Sequence, residues 1–149
     1  MNIRISSRAF SNGFDIITPV ETFSAKRSPF GEMLISNASG TQIARLGPES
    51  FFSNAYNIII SGGGFYQFRR DKDARRTWAC KGEGRLLHIS EHRRRRFEIT
   101  EASQRVAECS KGRFGNDYAI VVNDSEMKLV ICIVLALSVS EHQSSDIPG

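Results

Sequence analysis

Apolar residues recur at every second position over much of the chain, in short runs closed by Gly, Asn, Asp or Ser. That period of two is the mark of half-buried β-strands. "EMLISNASGTQIARLG" reads as strand, Asn-Ala-Ser-Gly turn, strand. "YNIIISGGGFYQF" reads as two strands joined across Gly62, Gly63 and Gly64, and "TWACKGEGRLLHIS" repeats the design with Gly82 and Gly84 at the bend. "RRFEITEASQRVAEC" and "YAIVVNDSE" continue the series. β-branched and aromatic residues fill the runs, as a pleated, half-buried surface favours. Short strands at this spacing predict an antiparallel sandwich or barrel.

One part of the chain echoes another. Ile35, Ala38, Ser39, Ile43 and Ala44 match Ile99, Ala102, Ser103, Val106 and Ala107, with one residue dropped at the turn. "NAYNIII" from Asn54 then matches "NDYAIVV" from Asn116, and the offset falls only from 64 to 62 residues. Ordered matches at a nearly constant offset predict two related halves. Each has a hairpin, a connection carrying an aromatic (Phe51 and Phe52; Phe114) and a Tyr-led strand. Residues 1–30 have no place in this echo and are set apart as a candidate peripheral segment.

The alternation stops at "LVICIVLAL", Leu129 to Leu137, which with Met127 and Val139 makes a thirteen-residue stretch apolar on every face. Its β-branched residues favour strand. Its length favours helix, and a helix apolar all round has to be enclosed by protein. Periodicity alone does not choose. As a helix the stretch spans about 20 Å, short of the ~30 Å hydrocarbon core of a bilayer, so a core element is expected and not a membrane span. "SVSEHQSSDIPG" then reads as an exit into a polar tail over 142–149.

A chain of 149 residues with 40% apolar and 24% charged residues suits one globular domain with a real core. Cys80, Cys109 and Cys132 form an odd set without paired spacing, which suits free thiols in a reducing, cytoplasmic setting. The start, "MNIRISSRAF", has no apolar core of the secretory kind. The net charge of +4 is unevenly placed. Arg69 to Arg105 carry twelve Lys/Arg against six Asp/Glu, whereas Arg113 to Gly149 carry two against five.

The stretches "MLISNASGTQIARL", "AYNIII", "RRFEITEASQRVAEC", "NDYAIVV" and "KLVICIVLALSVSE" together resemble the tubby C-terminal-like superfamily, in its LURP-one-related and phospholipid-scramblase-like branch. The resemblance covers Met33 to Glu141. It implies a closed antiparallel barrel of about twelve strands threaded by a central hydrophobic helix, with Lys128 to Val139 as that helix. Tubby proteins bind phosphoinositides through a basic surface and scramblase-like members associate with membranes, so the resemblance implies anionic lipid as a partner. No stretch here matches the tubby lipid site position by position, and the chain lacks the cysteine-rich segment of scramblases.

Little in the chain points to chemistry, and a non-enzymatic module without a cofactor is the expectation. His88 and His92 have a His-x3-His spacing, but it serves a metal only on a helix. His88 is expected on a strand and His92 at the turn after it, pointing apart. The glycine stretches are followed by strands, not by the helix that a phosphate loop requires. Asp71/Asp73 and Asp124/Glu126 read as turn residues, and Trp78 as core.

The basic residues remain. Arg69, Arg70, Lys72, Arg75 and Arg76 fall at one strand end and loop, and "HRRRRFEIT" places Arg93, Arg94 and Arg96 at another. Sharing one rim, they would form a face for anionic phospholipid headgroups at the inner membrane surface. Nucleic acid is the alternative partner, a protein scaffold with no anionic ligand another, and a merely solvated rim the plainest. Strand alternation puts Arg94 and Arg96 on the face of Glu98, and Arg95 on the face of Phe97 and Ile99.

Overall fold

The computed structural model describes residues 1–8, 13–28, 31–49, 55–113 and 117–145, with residues 141–145 as backbone alone. Phe51, Phe52 and Phe114 and the end of the polar tail lie outside these residues. Twelve strands run in chain order around a closed antiparallel barrel: β1 (Asn2–Ser7), β2 (Gly13–Ile17), β3 (Thr22–Arg27), β4 (Met33–Asn37), β5 (Gln42–Pro48), β6 (Tyr56–Ile60), β7 (Gly64–Arg70), β8 (Thr77–Gly82), β9 (Arg85–Arg93), β10 (Arg96–Glu101), β11 (Gln104–Lys111) and β12 (Tyr118–Val122). A short 3-10 turn, Asp124–Glu126, leads into helix α1, Met127–Ser145. The barrel closes where β12 pairs with β1, in the register Ile3 to Ile120 and Ile5 to Tyr118. The strands between Asn2 and Arg27 are therefore not peripheral, because β1, β2 and β3 are a quarter of the wall and β1 joins β12 to β2.

The alternation read from the sequence becomes an inside and an outside. Along β12 the odd residues out, Ala119 and Val121, face solvent, while Tyr118, Ile120 and Val122 are buried. β8 and β10 do the same, with Trp78, Cys80, Phe97 and Ile99 inward. A barrel of about eight strands is filled by its own side chains, and a wider one leaves a lumen. Helix α1 fills the lumen of this one. Val130 to Leu137 are at most 1% exposed, so over this stretch no face of the helix meets water. The apolar run is thus a helix in spite of its β-branched residues, and it extends beyond Val139 to Ser145. A helix satisfies its own backbone hydrogen bonds. A lone strand inside a closed barrel would have no neighbour for its N–H and C=O groups.

The echo in the sequence maps onto the barrel at a spacing of six strands. β4, β5 and β6 correspond to β10, β11 and β12, on opposite sides of the wall. Both hairpins carry an irregularity in the pairing at the same place, after Ile35 in the first and after Ile99 in the second, and both Ile residues pair with an Ala (Ala44; Ala107). The dropped residue has a visible cost. The first turn uses Gly40 at φ +83°, whereas the shorter second turn forces Ala102 and Ser103 into the left-handed region at φ +51° and +66°.

Both glycine stretches are hairpin bends, as expected. Glu83 and Gly84 form the β8–β9 turn with φ of +51° and +71°. Gly82, just before it, permits a close approach of β7, since a β-carbon there would overlap the Phe65 carbonyl.

Since strands alternate in direction, connections after odd strands lie at one end of the barrel and those after even strands at the other. Helix α1 starts at the second end, below β12, and runs to the first. These are the entrance end and the exit end of the helix.

Candidate functional site

The loop between β7 and β8 and the turn between β9 and β10 both follow odd strands. They lie side by side at the exit end, because β8 and β9 are paired from Thr77–Ser90 to Gly82–Arg85. The two basic stretches therefore do share a rim. Arg70, Lys72, Arg75, Arg93, Arg94 and Arg96 are all exposed. Among the described residues none of these six is in an ion pair.

Arg69 and Arg76 are different. One Arg69 nitrogen, Nη2, donates to both carboxylate oxygens of Glu49 at 2.8 Å. Arg76 Nε donates to Glu91 Oε2, and its guanidinium lies 5.4 Å from the Trp78 ring centroid and 6.0 Å from that of Phe97. Trp78 and Phe97 are both buried and meet each other at 6.0 Å. Arg76 thus closes the top of an aromatic pair in the wall, and its charge is already engaged.

Glu91 is a residue that the sequence reading missed. Its second oxygen accepts the backbone N–H of Arg95 at 3.2 Å, so one carboxylate ties the β7–β8 loop to the β9–β10 turn. Arg76 and Arg95 both sit in the left-handed region, at φ +56° and +62°. Non-glycine residues held there are strained by about 1–3 kcal/mol and persist only where their surroundings fix them. The Arg76 carbonyl accepts from Glu91 N–H (3.1 Å), and the Arg95 carbonyl accepts from Lys111 N–H (2.8 Å). An acid at the end of a strand, just ahead of an arginine run, was the one available signal for this clamp.

The arginine run divides differently from the strand reading. Arg93 ends β9, Arg96 begins β10, and Arg94 and Arg95 form the turn between them. Strand alternation does not reach Arg94 and Arg95, so Arg95 does not share the face of Phe97. Arg96 does lie outward on the side of Glu98. His92 is also on β9 and not at the turn. It is the extra residue where the pairing shifts, since Arg96 pairs with Arg93 and Phe97 with Glu91. That shift puts Arg93 and Arg96 directly opposite one another. Like charges so placed oppose pairing, and an anion between them would relieve the repulsion.

The entrance end has the opposite character. Arg85 holds Glu101 through Nε (2.9 Å) and Nη2 (2.8 Å), and Glu126 through Nη1 (3.0 Å) and Nη2 (3.1 Å). One guanidinium joins the start of β9, the end of β10 and the turn before α1. These hydrogen bonds raise the Arg85 pKa and hold the Glu101 carboxyl below the usual 4.5. Glu83, Asp124 and Glu126 make this end acidic.

No group of three or more His, Cys, Asp or Glu arranged to hold a metal ion occurs among the described residues. Cys80, Cys109 and Cys132 are buried and unpaired with one another. Burial pushes the Cys80 and Cys132 thiols up to about 12, so neither forms a thiolate near neutral pH. No described helix is long and apolar enough to cross a membrane.

No protein-family model matches the chain, and no curated protein does. Among solved structures, an X-ray structure of a protein from Arabidopsis thaliana is similar over 93% of this chain and 91% of that one, with a TM-score of 0.43 and 11% identity.

Proposed function

We propose that the protein is a non-enzymatic binding module whose exit-end rim contacts anionic lipid headgroups at a membrane surface. One observation carries this reading: among the described residues, six exposed cations share one end of the barrel without carboxylate partners, while Glu49 and Glu91 of that end are spent on Arg69 and Arg76. Each basic residue brought near an anionic leaflet contributes ~1 kcal/mol, within a screening length of about 8 Å. Arg70, Lys72, Arg75, Arg93, Arg94 and Arg96 together suffice for reversible recruitment. The resemblance to tubby-like and scramblase-like barrels points the same way. Phosphatidylserine and phosphoinositide headgroups both present the net negative charge that such a rim attracts.

A rim that stacked single-stranded nucleic acid would need exposed aromatics between its cations. Among the described residues, the aromatics beside these loops, Trp78 and Phe97, are buried instead. The test is co-flotation of the full chain with vesicles of phosphatidylcholine, alone or with phosphatidylserine or a phosphoinositide, across a salt series. Binding to the anionic vesicles that weakens with salt is expected. Failure to float with either anionic vesicle at low salt removes the proposal.

A further inference from the structure

We infer that the outer wall carries a second anion site beside the rim, sharing Arg96 alone with it: a trough over β12 that takes a monomeric anionic amphiphile, its head between Arg4 and Arg96 and its apolar body over Val121 and Ile17. A cavity of about 580 Å³ lies here on the outside of β1, β12 and β11. That is within the usual range for small-molecule sites, about 300–1,000 Å³. The strand register explains its shape. Arg4 pairs with Ala119, Ala119 with Ser110, and Ser110 with Arg96, so these four residues form one row across the wall. Three strand steps separate the two arginines, roughly 14 Å between Cα atoms. The two residues between them are small, which leaves a floor below two long cationic side chains. Both Arg4 and Arg96 are exposed, and among the described residues neither has an ion pair.

The trough is chemically graded along the strand direction. Toward the entrance end its lining becomes apolar, with Ile17 (49% exposed), Pro19 and Val121 (56% exposed). Its one acid, Glu108, faces Arg105 at 3.5 Å. A second hollow of about 400 Å³ shares Arg4, Ser110 and Ala119 and continues toward the exit end past Ser6 and Lys111. Two free guanidiniums select a phosphate or carboxylate group. The exposed apolar residues beside them select a hydrocarbon body attached to it. The trough opens on the side of the barrel and not at its exit end. A rim laid on a bilayer leaves it facing solution, so the ligand is a free monomer and not a headgroup within the bilayer.

The probe is dodecyl phosphate below its micellar concentration, added to the full chain and followed by backbone amide NMR shifts. Shifts are expected at Ser110, Ala119 and Val121. Arg4→Ala, which removes half of the charge, and Ala119→Trp, which fills the exposed floor, should each weaken binding by about tenfold or more. Inorganic phosphate lacks the body and dodecyl maltoside lacks the charge, and both should bind far more weakly than dodecyl phosphate. Phosphatidic acid vesicles, which meet Arg96 at the rim, should leave the trough amides beyond it, Ala119 and Val121, unshifted. The inference is overturned if both variants bind as the parent does, if the shifts fall on residues 71–76 and 94–95 instead, or if vesicles shift Ala119 and Val121. The triple variant R75A/R93A/R94A keeps this site and loses the rim, so failure of vesicle flotation and failure of the trough are separate results.

Discussion

At the end of the barrel where the helix enters, one arginine is shared by two carboxylates. At the end where it leaves, six cations are in no ion pair among the described residues. The same residue type does two different jobs in one molecule, and the carboxylates around it decide which. Arg85 meets Glu101 and Glu126 and becomes a fastener between two strands and the helix start. Arg93 faces Arg96 across a hairpin, an arrangement that weakens the wall locally and leaves charge available to a partner. Arg76 lies between these cases. It is at the charged end, but Glu91 and the Trp78–Phe97 pair absorb it into the structure. An arginine-rich stretch is therefore informative about binding only after its acids have been placed.

This contrast can be broken at several points. The largest effect is expected from Leu135→Ala, a fully buried residue of the helix that connects the two ends. The cavity should lower stability by about 2–5 kcal/mol. Urea unfolding should remain a single transition, and two separate transitions would show that the ends are not one cooperative unit.

Next is Glu91→Ala, which frees Arg76 and the Arg95 turn together and leaves two left-handed residues without their shared acceptor. A loss of about 1–2 kcal/mol is expected by the same measurement. Removing an acid from a basic face should strengthen attraction for anionic vesicles if charge alone matters. If the clamp sets the spacing of the two loops, flotation should weaken instead, and that is the outcome expected here.

Arg85→Ala should cost about 1 kcal/mol, since all three side chains of this cluster are partly exposed and solvent screens them. Its pH dependence is the sharper mark. Arg85 lowers the Glu101 pKa, so the pair stabilises the fold above the usual 4.5, and that stability is lost as pH falls through the lowered value. The gap between parent and variant should be full at neutral pH and should narrow in acid. A gap independent of pH would rule out this account of the fastener.

R75A/R93A/R94A should leave stability within about 0.5 kcal/mol of the parent while weakening binding to anionic vesicles about a hundredfold. A large loss of stability would mean that these arginines belong with Arg85 and not with the rim. The smallest expected effect is at the buried thiols. Cys80 and Cys132, pushed up to about 12, should not react with a disulfide reagent at pH 8 until the chain is unfolded.

Much of the wall was legible in the chain because it is written in local periods. Tyr118 to Val122 alternates, so its inside and outside follow from adjacent residues. The echo of Ile35 and Ala44 in Ile99 and Ala107 foretold strands that lie half a barrel apart. What stayed hidden depends on residues brought together from afar. No pattern near Asn2 announces that β1 closes the sheet against β12, because that pairing joins the two ends of the strand series. The Glu91 clamp joins residues that are fifteen apart and the Arg85 fastener residues that are forty-one apart. Nothing in either stretch specifies the other. The row Arg4, Ala119, Ser110, Arg96 is a trough only because three strand pairings set it level.

By itself, then, the sequence determined the strands from Met33 onward, their turns, the apolarity of the last element and the presence of unbalanced positive charge. These follow from side-chain period and backbone preference, which act over a few residues. Only the tertiary structure decided that Met127–Ser145 is a helix, that both basic loops lie at one rim, and which arginines are free. The first choice needed an enclosed lumen where a lone strand would find no hydrogen-bond partner. The other two needed the antiparallel order of the barrel, which alone sets the distance from each guanidinium to the nearest carboxylate.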